Sequence, residues 1–296
     1  MDRREHAALL LALRASGRPW ADVTRVVEEA GSALSVLENL LTPDQPALDQ
    51  AEWDPTAALD AAEQEIEGWQ AEGIRLTTVL DDDYPLQLLM VHQRPPLLTY
   101  RGQLDPIDQH AVAVVGSRAA TSRGLAITRE VATLLTKQDI TVLSGLAAGV
   151  DTAAHRAVLD AGGRTVAVVG TGLRHCYPAS NVELQTGVER TGAVISQFLP
   201  DVGPAKRNFP MRNAVMSGCG VATVVVEAGE HSGTRIQARL ALEHGRHLFL
   251  MPEVATGTTW GRDMATRPNT TVLTGPDHLV EAVAELTADV SELVQF

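Results

Sequence analysis

The sequence predicts an α/β fold in which a doubly wound, mostly parallel sheet follows a small helical N-terminal domain. Short apolar runs recur through the middle of the chain: Ala111 to Val115, Ile140 to Leu143, Thr165 to Val169 and Val221 to Val226. The first three end in glycine-bearing turns, Gly116-Ser117-Arg118, Ser144-Gly145-Leu146-Ala147-Ala148-Gly149 and Gly170-Thr171-Gly172, and helical periodicity follows. Continuous apolar runs, rather than alternating ones, mark strands buried on both faces. Strand–helix alternation implies right-handed crossovers and parallel strands. Loops at the carboxyl ends of such strands form the ligand crevice, and helix N-termini there attract anions. A phosphate-bearing ligand, nucleotide or nucleic acid, is therefore expected.

Taken in order, residues 5–41 read as short helices. Ala7, Leu9, Leu10 and Leu13, then Val23, Val26 and Val27, keep helical spacing, and Ser16-Gly17-Arg18-Pro19 interrupts them. Pro43, Pro46 and Pro55 mark a looser joint. A helix from about Pro55 to Glu72 ends at Gly73, and Ile74 to Leu80 alternates like a short strand before Asp81-Asp82-Asp83. The stretch from Tyr84 to Leu98 leads into the large domain. That domain is expected to hold strands at 111–115, 140–143, 165–169, 193–196, 221–226, 247–251 and 270–273. Helices are expected at about 123–137, 150–161, 180–190 and 233–245, with an acidic amphipathic helix at 277–294 closing the chain. The domain boundaries expected are 1–72, 73–276 and 277–296.

Composition narrows the function classes. The chain has 296 residues, 45% of them hydrophobic, and only 4% aromatic, so any aromatic beside a glycine-rich turn carries weight. No apolar stretch reaches the roughly 18 to 20 residues of a membrane span, and the charged start does not resemble a secretion signal. Cys176 and Cys219, without metal-ligand spacing, read as reduced thiols. A soluble cytoplasmic protein without metal or cofactor is expected. The net charge of −13 is unevenly spread: residues 1–110 carry 8 basic and 20 acidic residues, and residues 111–276 carry 16 basic and 12 acidic. The last twenty add five acids and no base. A local basic groove in the central domain is compatible with this pattern, but a long electrostatic footprint is not.

Each turn has a functional and a plain reading. Gly116-Ser117-Arg118 presents a guanidinium beside helix amides, a phosphate clamp, or else Arg118 pairs with a surface carboxylate. The turn lacks the further glycines of a dinucleotide fingerprint, which weakens a dehydrogenase reading. Ser144, Gly145 and Gly149 let backbone approach a ligand closely. Asp151 and His155, one turn apart, form an acid/base pair or, more often, a helix cap and a packed histidine. Asn208-Phe209-Pro210-Met211-Arg212-Asn213, after Lys206 and Arg207, reads as a polar loop. Its basic residues around one aromatic suit a groove that stacks a base and holds a phosphate. The plain alternative tucks Phe209 into the core. Glu227 follows the most apolar strand and acts as a base, bonds a ribose hydroxyl or orients a loop. Ser232-Gly233-Thr234 then opens another helix.

Taken together, these segments resemble the DNA-processing protein A (DprA/Smf) family of bacterial natural transformation. The matching pieces are Val114-Val115-Gly116-Ser117-Arg118, Ser144 to Asp151 with Ala154-His155, and Ala167 to Leu173 with Tyr177-Pro178 and Asn181. Phe209-Pro210-Met211-Arg212-Asn213, Val225-Val226-Glu227-Ala228 and Ser232-Gly233-Thr234 also match, as do Tyr84-Pro85, Pro95-Pro96-Leu97-Leu98 and Gly102 upstream. The resemblance implies an extended Rossmann-like domain binding single-stranded DNA, with a SAM or helix-hairpin-helix-like N-terminal domain. It implies a homodimer that protects DNA and loads a RecA-type recombinase, with no catalytic step. By that likeness Arg118, Lys206, Arg207 and Arg212 contact phosphates and Phe209 stacks on a base. Gly116, Ser117, Ser144, Gly145, Gly149, Gly170, Thr171, Asn213, Ser232 and Gly233 shape the pocket.

Departures from the family pattern open alternatives. Position 214 is Ala where a further Arg is usual, and Glu253 stands where the family has glycine; both are expected to weaken phosphate binding. The stretch from Trp260 to Pro276 keeps little of the usual ending, and the C-terminal winged-helix domain of many members is expected to be absent. One alternative is a partner or antitoxin in a phage-defence locus, with a cognate toxin. A second is a nucleotide phosphoribohydrolase using Glu227 with Ser232-Gly233-Thr234, although the spacing is not that of such enzymes.

Overall fold

A computed structural model describes residues 2–40 and 54–293, with the side chains of residue 40 and of 287–293 left out. Pro43 and Pro46 lie outside the described residues. Four helices come first: α1 (Arg3–Ala15), α2 (Trp20–Ala30), α3 (Ala33–Leu40) and α4 (Pro55–Ala71). Asp2 caps α1, Gly31 ends α2 in the left-handed region, and Asp54 accepts from Thr56 and Ala57 amides to start α4. Arg14 grips Glu65 with two hydrogen bonds of 2.7 and 2.8 Å, clamping α1 to α4. The apolar stripe of α1 (Leu9, Leu10) and Ile66 and Trp69 of α4 join one cluster with sheet residues Leu97, Ala167 and Val194. The helical unit is thus seated on the sheet.

The sheet has nine strands: β1 (Arg75–Thr78), β2 (Leu97–Gly102), β3 (Val112–Val115), β4 (Val142–Ser144), β5 (Thr165–Val168), β6 (Ala193–Ser196), β7 (Ala222–Val225), β8 (His247–Leu250) and β9 (Thr270–Val272). Their spatial order is β1-β2-β6-β5-β4-β3-β7-β8-β9. From β6 through β9 all pairings are parallel, while β1–β2 and β2–β6 are antiparallel. Two-sided burial explains the continuous apolar runs. Val112 and Val114 point into one cluster, and Ala113 and Val115 of the same strand into another.

Helices α6 (Ser122–Lys137), α7 (Val150–Asp160), α8 (Val182–Thr191) and α13 (Pro276–Leu293) cover one face. The other face carries α5 (Leu86–Leu89), α9 (Asn208–Cys219), α10 (Thr234–Glu243), α11 (Pro252–Gly257) and α12 (Thr259–Met264). The chain runs outward from β3 to β6, then crosses back through α9 to lay β7 on the other side of β3. The β3/β7 junction is therefore the topological switch point, where an open parallel sheet parts its loops into a crevice.

Several elements differ from the sequence reading. The expected polar loop at Asn208–Asn213 is the first turns of α9. Pro210 sits in the opening turn, where no intrahelical N–H is needed, so it does not stop the helix. β2 is an additional antiparallel strand, and α11 and α12 occupy the stretch after β8. Among the described residues no helix is long and apolar enough to cross a membrane, and both cysteines are free.

Candidate nucleic-acid interface

At the switch point lies a cleft of about 620 Å³, walled by the loop after β3 (Gly116 to Ala119), the first turns of α9 and the loop after β7 (Gly229 to Thr234). The walls meet because glycines let them. A Cβ at Gly116 would lie 2.6 Å from Val150 Cγ2 and 2.8 Å from the Glu227 carbonyl. Ser117 donates its amide to that carbonyl at 2.7 Å, stitching the β3 loop to the β7 loop. Gly149, at φ +80°, approaches the Ser117 and Arg118 carbonyls, and the Val150 amide donates to Ser117.

The β4 turn builds the next layer. Asp151 accepts from the amides of Gly145 and Ala147, both at 3.2 Å. Its burial pushes the carboxyl pKa up, against the pull of Arg212. Arg212 is only 5% exposed. Its Nη1 donates to the carbonyls of Gly145 (2.6 Å) and Val168 (2.5 Å), and its Nε to Asn213 Oδ1 (3.1 Å). Nη2 makes no hydrogen bond to the described residues. A guanidinium carries five N–H donors, so Arg212 keeps two for a ligand while the other three hold the wall. Gly145 is required beneath it, since a Cβ there would fall 2.1 Å from Nη1.

Arg118 is exposed and forms no ion pair among the described residues. Its guanidinium lies 4.9 Å from the Phe209 ring centroid, within cation–π range. Phe209 rests on Gly170, whose missing Cβ leaves room for the ring, and Asn208 donates to the Gly170 carbonyl at 3.1 Å. Tyr177, 46% exposed, sits 5.7 Å from Phe209 between ring centroids. An unpaired cation and two aromatic faces thus stand together at the mouth of the cleft. Beside Gly229 and Gly233 there is open space, so a ligand can approach that backbone closely. Ser232 Oγ accepts from the Thr234 amide at 3.2 Å where α10 begins.

Of the residues expected from sequence, Gly116, Ser117, Arg118, Phe209, Arg212, Asn213, Ser232 and Gly233 line the cleft. Gly145, Gly149 and Gly170 lie just behind, as spacers. Ser144 is fully buried and its hydroxyl donates to the Val114 carbonyl at 2.7 Å, so it serves the strand rather than a ligand. Thr171, also buried, donates to the His175 carbonyl at 3.2 Å. Lys206 and Arg207 are exposed at the start of α9, outside the cleft lining. Asp151 and His155 are no acid/base pair, because His155 Nδ1 shares 2.7 Å with Thr165 Oγ1 and burial lowers the ring pKa to about 3.

Glu227 is also committed. Its carboxylate accepts from the Thr121 amide (3.0 Å) and hydroxyl (2.5 Å) and fills the space a Cβ at Gly124 would need. It caps the α6 region and does not line the cleft, which removes the carboxylate the hydrolase alternative requires there. Neither Ala214 nor Glu253 lines the cleft: Ala214 is buried in α9, and Glu253 pairs with Arg123 at 2.6 Å. Their expected weakening of a phosphate site has no structural basis at this cleft. Sequence reasoning missed Tyr177, His231 and Gln237. For Tyr177 the scarcity of aromatics was the available signal.

Similarity to known proteins coincides with these elements. A model of the DNA recombination-mediator protein A family matches residues 75–296. The DNA processing protein DprA of Streptococcus pneumoniae is 41% identical over 175 residues, covering 59% of this chain and 62% of its own length. The Escherichia coli protein Smf is 36% identical over 200 residues, covering 67% and 54%. The matched part thus spans between half and two thirds of these relatives. The X-ray structure of Streptococcus pneumoniae DprA superposes with a TM-score of 0.73 at 31% identity, covering 95% of this chain and 98% of that one. A Helicobacter pylori DNA processing protein A structure, described for its single-stranded DNA binding mode, shares the fold at TM-score 0.63 and 22% identity.

Proposed function

Because the chain belongs to the DNA recombination-mediator protein A family, we propose that it binds single-stranded DNA in the cleft between the β3 and β7 loops. The observation that carries this reading is the unpaired Arg118 guanidinium over Phe209, beside exposed Tyr177. A nucleobase slides onto such rings, and each stacked base is worth about 1–3 kcal/mol irrespective of sequence. Arg118 and the free Nη2 of Arg212 take phosphate oxygens, and the open backbone at Gly229 and Gly233 admits the strand. Lys206 and Arg207 extend the path beyond the cleft. The role is non-catalytic: the chain holds a DNA strand, protects it and delivers it to a recombinase during transformation, acting as a homodimer.

Binding of a fluorescent oligothymidine, followed by anisotropy at low and physiological salt, tests this. Wild type binds and weakens with salt, whereas Arg118→Glu and Phe209→Ala each lose about tenfold or more. Equal affinity in all three, or no binding at low salt, refutes the reading. The dimer has its own check, since a monomeric mass in light scattering at micromolar concentration removes it.

A further inference from the structure

The turn after β4 has two sides. Ala147 lines the cleft, Gly149 lines a second hollow, and Ala148 between them is exposed. None of the three has a side chain beyond Cβ, so they form a low saddle joining the two. Gly149 keeps its slope bare by necessity, since a Cβ there would lie 2.2 Å from the Ser117 carbonyl. The second hollow is a groove of about 330 Å³ between the packed helices α6 and α7. Gly149, Ala153, Arg156 and Asp160 line it at helical spacing, so it follows α7 away from the saddle. Arg129 stands on the α6 wall and Arg156 on the α7 wall, about 10 Å along the helix from Gly149. Both are exposed, and neither makes a hydrogen bond or ion pair among the described residues. Elsewhere an arginine four residues before an acid closes the pair, as in Arg25–Glu29 at 3.0 Å and Arg239–Glu243 at 2.9 Å. Arg156 and Asp160 share that spacing and stay apart.

We propose that a DNA strand leaving the cleft crosses this saddle and is held in the α6–α7 groove, where Arg129 and Arg156 take its phosphates. The inference rests on the cleft reading and lengthens the site onto the other face of the sheet. The bare saddle lets the strand pass close to backbone, and two planar guanidiniums with unused donors match phosphate oxygens. Leu125, Ala153 and Ala157 offer the sugars apolar surface between them. Asp160, at the far end, repels the phosphates and bounds the path. An acidic protein segment would meet the same guanidiniums, but the groove opens onto the cleft, and the ligand already there is the one the saddle delivers.

Oligothymidines of about six and about twenty nucleotides, one filling the cleft and one long enough to pass beyond it, separate the two sites by anisotropy on the full chain. The double variant Arg129→Gln, Arg156→Gln is expected to lose about fivefold or more for the long strand and nothing for the short one. Both positions are exposed, and an unchanged thermal midpoint reports an intact fold. Lys137→Gln with Arg190→Gln removes the same charge away from the groove and leaves both affinities as they were. Arg118→Glu weakens both lengths. Wild-type affinity of the groove variant for the long strand overturns the proposal and, with Arg118→Glu still weakening both, leaves the cleft standing. Equal loss for both lengths, or in the control variant, also overturns it, and binding of neither length to wild type removes cleft and groove together. A polyglutamate peptide is expected not to bind; polyglutamate binding that the groove variant abolishes would give the groove to an acidic protein segment instead.

Discussion

A Cβ added at Gly145 would lie 2.1 Å from Arg212 Nη1, and the guanidinium has nowhere to retreat because two carbonyls already hold it. Gly145→Ala therefore expels Arg212 from its seat. The expected outcome is a stability loss of about 2 kcal/mol or more together with weakened oligonucleotide binding, read by thermal melting and anisotropy on the same sample. His155 gives a residue-scale test by pH. Its folded pKa of about 3 lies below the ordinary 6.5, so the unfolded chain takes up the proton first. The stability this contributes is complete above about pH 6.5 and is lost as pH falls toward 3. The loss is on the order of 5 kcal/mol at its limit. A His155→Leu variant should show a flatter melting-temperature profile between pH 7 and 4; a profile parallel to wild type would deny the role.

The elements that build the cleft differ in how plainly the sequence announces them. β3, β4 and β5 are legible because strands buried on both faces leave unbroken apolar runs, and their glycine turns follow at once. α9 is not legible at its start. Asn208-Phe209-Pro210 has a loop-like composition, and the buried face of the first turns carries the polar Asn208 and Arg212, so no apolar stripe marks it. The role of Arg212 is hidden for a related reason. The carbonyls it holds lie 67 and 44 residues away in sequence, where no local pattern points. β2 likewise gains its sheet position only by pairing with β6, nearly a hundred residues on. Asp151 ties the β4 turn to α7, so Asp151→Asn should loosen the amides of Gly145 and Ala147. The prediction is a several-fold loss of oligonucleotide affinity with Phe209 and Arg118 untouched, measured by anisotropy. Unchanged affinity would mean the turn holds its shape without the carboxylate.

Across the whole molecule, a net charge of −13 coexists with a basic central region because the acids gather at the two ends. The cleft offers few cations, namely Arg118, part of Arg212, and the adjoining Lys206 and Arg207. With about three to four phosphates neutralised, log Kobs should fall against log salt with a slope of about −2 to −3. A much steeper slope would place the DNA on another surface. The most direct measurement of the central claim is a photo-crosslink from an oligothymidine carrying 4-thiothymidine, mapped by peptide mass spectrometry. Crosslinks at Tyr177, Phe209 and the Gly229–Thr234 loop are the predicted result. Crosslinks confined to other surfaces, with these peptides unmodified, would contradict the assignment of the cleft.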